Sequence, residues 1–115
     1  MKTTLIFLMT VLGLAMCRES DDPKGPELRD DVMLYANGLA YDGCEQHVVL
    51  NWNDPNKVVR YAPDAESVSL IDSFLGKETQ KQGDIIYKFT GLKKTVQCGW
   101  GSKFEADEIT IVSIR

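Results

Sequence analysis

Apolar and polar residues follow two different periods along this chain, and the change between them divides it into elements. Apolar positions near a period of two mark half-buried strands, whereas spacings of three and four mark one face of a helix. The first apolar stretch holds Val32, Met33, Leu34 and Tyr35, then Leu39, Ala40 and Tyr41, with Asn37-Gly38 as a turn or bulge within it. After the turn signal Asp42-Gly43, residues 46–52 give the clearest strand. Val48, Leu50 and Trp52 share one of its faces, and His47, Val49 and Asn51 share the other. Asn53-Asp54-Pro55-Asn56 is turn chemistry, because Asx side chains bond neighbouring backbone and Pro fixes φ. A third strand is expected over 57–62.

The period then changes. Val68, Ile71 and Leu75, with Leu70 and Phe74 beside them, fall at helical spacings. Asp64 or Ser67 is positioned to cap the start, and Gly76 stands where helices commonly end. Residues 77–83 read as polar loop. Ile85, Tyr87 and Phe89 restore alternation, residues 91–94 read as a bend, and a short apolar run reaches Cys98. The last strand, 109–114, changes parity between Ile111 and Val112, as a bulge would cause. The order strand, strand, strand, short helix, strand, strand resembles the OB-fold, a small Greek-key barrel. The expected fold is therefore mainly β: a five-stranded antiparallel OB-like barrel with one short helix between strands 3 and 4. An antiparallel β-sandwich is the alternative. Trp52 shares a face with Val48 and Leu50, so it is expected in the core.

The N-terminal pattern is neither period. Lys2 precedes an uncharged apolar run from Leu5 to Met16, shorter than the roughly 20 residues of a spanning helix, so it reads as an export signal. Leu14-Ala15-Met16-Cys17 resembles the lipobox of bacterial lipoproteins. The match departs at Met16, which is bulkier than the small residue expected before the cleavage point. Arg18-Glu19-Ser20-Asp21-Asp22 is similar to the acidic surface-export signal of Bacteroidota lipoproteins, and Cys98-Gly99-Trp100-Gly101 before an Ile-x-Ile strand is similar to small lipoproteins of the same group. Pro23, Gly25 and Pro26 among charges read as a flexible tether over 17–29 ahead of one β-rich domain over 30–115, and the resemblance implies residues 1–16 as a leader and a lipid on Cys17. It implies an outer-membrane lipoprotein, periplasmic or surface-exposed, that meets the membrane through its lipid. An ordinary secretory peptide cut after Ala15 is the other reading.

Charge narrows the partners. Without Lys2 the chain carries 12 basic against 17 acidic side chains, a formal charge of −5. An acidic domain without a basic cluster suits neither phosphate backbones nor anionic lipid, so no nucleic acid is expected. With Cys17 lipidated, Cys44 and Cys98 remain as an even pair in an oxidising compartment and read as a disulfide.

Candidate chemistry is sparse. His47 is the single histidine, and no Gly-x-Ser-x-Gly elbow or Cys-x-x-Cys motif is present. The turn around Asn51 and Asp54 lacks the closing Glu of an EF-hand, since Ala62 stands in its place. No catalytic residue, metal or cofactor is therefore assigned. Trp100, between two glycines after Cys98, either presents its ring to a ligand or folds down as a lid over a barrel end, with the lid expected. In OB-folds ligands meet strands 2 and 3 and the loops after strands 1 and 4. By that resemblance His47, Asn51, Arg60 and Trp100, with Val49 and Val58 beside them, form the surface to test. The function expected is non-catalytic binding of an envelope protein, peptide or glycan. Inhibition of a lysozyme or protease, and a small hydrolase using His47, are the alternatives.

Overall fold

The structure, a computed structural model, describes residues 25–41 and 43–115. The leader, the Leu14–Cys17 motif with its lipidation site, the tether up to residue 24 and Asp42 lie outside the described residues. Five strands close into a barrel in the order β1-β2-β3-β5-β4. They are β1 (Leu28–Tyr35), β2 (His47–Leu50), β3 (Val59–Pro63), β4 (Gln80–Gln97) and β5 (Lys103–Ile114), with helix α1 (Ala65–Leu75) between β3 and β4. This is the OB-like architecture expected, with one correction. β3 and β5 run parallel, pairing Tyr61, Ala62 and Pro63 with Asp107, Glu108 and Ile109, while the other four pairings are antiparallel. A ring of five strands cannot alternate direction all the way round, so closure requires at least one parallel pair.

β1 begins before the expected domain boundary at residue 30, because Leu28 and Arg29 belong to the barrel rather than to a tether. Leu28 packs against the main core and pairs with Tyr87 of β4. The Arg29 guanidinium grips Asp84 of β4 with Nη2 2.6 Å from Oδ2. That pair is solvent-exposed and contributes little to stability. Asp30 accepts a 2.6 Å hydrogen bond from the Tyr87 hydroxyl. Burial first, and this bond second, push the Tyr87 pKa far up, so the phenol stays protonated.

The barrel interior is filled by Val32 and Leu34 of β1, Val48 of β2, Ile85 and Tyr87 of β4, and Ile109 and Ile111 of β5. Ile71 and Leu75 of α1 complete it. Gly83 on β4 makes room for this packing, since a Cβ there would sit 3.1 Å from both Leu34 and Phe74. Asp64 caps α1 by accepting from the Ser67 backbone N–H at 2.9 Å, and its second oxygen takes the Thr110 hydroxyl. The fully buried Ser67 Oγ accepts from Ile111 N–H at 2.7 Å, so helix and terminal strand are joined by side chains as well as packing.

Three further expectations change. β4 is one continuous strand from Gln80, so the polar stretch before Ile85 and the bend at 91–94 are both strand. The bend is a register shift between Phe89 and Lys93, carried by Gly91 at φ +86°. β5 starts at Lys103, ahead of its expected start at 109. β2 stops at Leu50 because Asn51 adopts φ +53°, which turns Trp52 out of the sheet and leaves it 38% exposed instead of in the core. The parity change at Val112 is a bulge: Tyr87 pairs with Ile111 and Ile86 with Ser113, leaving exposed Val112 as the extra residue.

Candidate functional site

The loops after β1 and β4 meet at one end of the barrel and are joined covalently. Cys44 and Cys98 form a disulfide across an isolated antiparallel bridge, with Cα atoms 3.8 Å apart and a sequence separation of 54. Backbone hydrogen bonds reinforce the join. Gly99 N–H donates to the Gly43 carbonyl at 2.8 Å, Glu45 N–H donates to the Gln97 carbonyl at 2.8 Å, and the Glu45 carboxylate accepts from Gln97 N–H at 2.8 Å. Within the first loop Gly38 and Gly43 approach so closely that a Cβ on Gly43 would lie 3.0 Å from the Gly38 carbonyl oxygen.

Each joined loop carries a short 3-10 turn, Leu39–Tyr41 in one and Gly99–Gly101 in the other, and the two turns lie against each other. Trp100 sits in the second with φ +63°, a left-handed backbone unusual for a bulky residue. Its ring is 90% exposed. The lid reading of Trp100 is thereby overturned: the positive φ lifts the ring away from the barrel, and the Ser102-to-Gly99 and Cys98-to-Ser102 backbone bonds hold it there. Tyr41 in the facing turn is 86% exposed, and Leu39 is also exposed. Beside Tyr41 a pocket of about 240 Å³ opens between the end of β1 and the first turn, with Tyr35, Ala36, Tyr41, Cys44 and His47 in its lining.

His47 lies on the outer barrel face, opposite Val48. Its ring stacks on Tyr35 with centroids 4.8 Å apart and 4° between planes, and meets the edge of Phe104 at 5.6 Å. Arg60 on β3 covers the other part of Phe104, with Cζ 5.2 Å from the ring centre. Tyr35, His47, Phe104 and Arg60 thus form a row across four strands. His47 Nδ1 lies 2.8 Å from the Glu45 carbonyl, which can only accept, so Nδ1 carries the proton and donates. Burial lowers the His47 pKa, the Glu45 carbonyl opposes that shift, and the Arg60 charge adds to it. The imidazole is a neutral packing ring whose one fixed partner is backbone.

Of the residues expected at a binding surface, His47 and Arg60 are brought together through Phe104. Trp100 stands at the joined loops, and His47 lines the pocket there with Tyr41 and Cys44, which Trp100 does not enter. Asn51 is not part of this surface: its Nδ2 donates to the Lys57 carbonyl at 3.1 Å and holds the β2–β3 turn. Val58 precedes β3, and Val49 is buried on the outer face. Tyr41, Tyr35 and Phe104 escaped the sequence reading. Tyr41 resembled strand interior, and Phe104 lay in a charged stretch with no assigned element. The flanking pair Gly38 and Gly43 was the one signal that residue 41 sits on a tight loop.

Comparison of the chain with protein-family models, with curated proteins and with solved structures gave no match.

Proposed function

We propose that this is a non-catalytic binding domain of the bacterial cell envelope, carried outside the cytoplasmic membrane by a lipid on Cys17. Its binding end is the pair of joined loops. The observation that carries this reading is the near-complete exposure of Trp100 and Tyr41 on turns pinned by the Cys44–Cys98 disulfide. Large rings exposed on a preorganised frame lose little conformational freedom on binding, which makes them effective interface anchors. The non-glycine positive φ at Trp100 supports the same reading, because backbone strain of about 1–3 kcal/mol persists where surrounding structure imposes it. The pocket beside Tyr41 is bounded mainly by rings and small apolar groups, which suits an apolar side chain of a protein or peptide partner.

A photo-crosslinking residue placed at Trp100 should trap a discrete envelope partner in intact cells, while the same residue at exposed Val59 should not. Equal trapping at both positions would contradict the proposal. The lipid is tested separately: a fatty-acid analogue should label the protein and fail to label Cys17→Ser.

A further inference from the structure

A second pocket, of about 220 Å³, lies on the helix side of the β1–β2 loop. Glu45 and Gln46 ahead of β2, Asp72 and Val68 of α1, and Lys94 and Val96 of β4 contribute to its lining. Gln46 is 8% exposed. Its Nε2 donates to Asp72 Oδ1 at 2.8 Å, and a carboxylate can only accept, so the orientation of the amide is fixed. Oε1 therefore faces away from Asp72. It is the one buried side-chain polar atom among the described residues without a hydrogen-bond partner. An unmatched buried acceptor costs about 1–3 kcal/mol, so it stands out in a domain otherwise well satisfied.

The charges lining the pocket select its ligand. Lys94 turns its ammonium to the Pro63 carbonyl, 3.2 Å away. Glu45 uses Oε1 on Gln97 N–H and Asp72 uses Oδ1 on Gln46, which leaves each carboxylate a second oxygen. Two carboxylates against one cation, beside an unmatched amide oxygen, favour a donor that is itself positively charged. Val68 and Val96 supply apolar wall for a short stem. The volume is below the roughly 300–1,000 Å³ of sites for larger ligands, so a single head group with a few carbons fits.

We propose that this pocket binds a primary alkylammonium group, carried either by a small amine or by a lysine side chain. The site does not include the exposed Trp100 and Tyr41 rings, while Glu45 belongs to both it and the joined loops. Full-length ¹⁵N-labelled protein titrated with n-butylammonium chloride should show saturable shifts at the Gln46 side-chain amide and at Val68 and Val96. n-Butanol, the uncharged counterpart, should bind at least tenfold more weakly, and sodium chloride should not reproduce the pattern. A lysine amide blocked at its α-nitrogen forms the second arm: saturation by both probes admits either source, and saturation by butylammonium alone restricts the site to small amines. Asp72→Asn, at an exposed helix position, should retain the native amide spectrum and weaken butylammonium binding tenfold or more. Trp100→Ala should leave the titration unchanged, so failure of the loop-end reading would not affect it. Absence of saturation by butylammonium, equal response to butanol, or undiminished binding in Asp72→Asn would each overturn the proposal; a hydrated Gln46 alone gives the first of these.

Discussion

The helix-covered core of the barrel and the joined loops hold their shapes by different means. Around α1, order comes from burial: Ile71, Leu75, Ile85 and Ile109 are at most 3% exposed, and Ser67 and Asp64 tie the helix to β5. In the joined loops the rings of Trp100 and Tyr41 face solvent, and order comes from a disulfide and a mesh of backbone hydrogen bonds. Apolar groups in the first region are committed to folding. Those in the second remain available to something else. A small domain with a modest core can keep such rings uncovered because the covalent link, not their burial, limits the freedom of the loops.

The largest expected effect separates the two mechanisms. Cys44→Ser with Cys98→Ser should lower stability by about 4 kcal/mol, since the chain-entropy model credits a loop of this length with roughly that amount. Chemical denaturation should show it, with raised hydrogen exchange concentrated at 38–45 and 97–102. Leu34→Ala should cost about 2–5 kcal/mol, but uniformly, because it opens a cavity in the barrel interior. If loss of the disulfide loosens α1 as much as the loops, the division between the two regions is wrong.

Smaller effects sharpen the contrast. Asp64→Ala should cost about 1 kcal/mol through the lost cap. Burial opposes ionisation of Asp64, but the Ser67 and Thr110 hydrogen bonds and nearby Lys94 outweigh it and hold its pKa below the usual value. Its stabilisation is therefore complete above the unfolded carboxylate pKa and is lost as acid titrates the folded group. Asp64→Asn should flatten stability against pH in the region below about pH 4. His47 shows the corresponding effect for a base. Its folded pKa lies below its unfolded value, so stability is full above about pH 6.5 and falls as pH drops through the window beneath it. His47→Phe should remove that slope, which thermal melts between pH 7 and pH 5 would record.

The buried core was the more legible in sequence, for a physical reason. Burial imposes a period, and period marked the helix and the bulge at Val112, while side-chain chemistry narrowed the cap to Asp64 or Ser67. Period also gave the in-and-out pattern over 47–50. Where side chains are solvated, the period fades. The polar residues 80–83 and the charged alternation around Phe104 belong to strands because their partners across the sheet demand it, not because their own composition does. Trp52 failed for a local reason: one left-handed residue at Asn51 ended the strand and changed the direction of the ring. Cys44 and Cys98 located the joined loops, but no pattern specified that Trp100 would point outward. That follows from its φ, which the neighbouring hydrogen bonds set.

The double variant Tyr41→Ala with Trp100→Ala tests the account most directly, measured in parallel for stability and for crosslinked partner recovery through a probe at Leu39. Both rings are exposed, so the melting midpoint should move by no more than the shift from about 0.5 kcal/mol. Recovery of the partner should fall at least tenfold. A variant that unfolds readily would show the rings to be part of the core, and undiminished recovery at full stability would show that the joined loops are not the binding end.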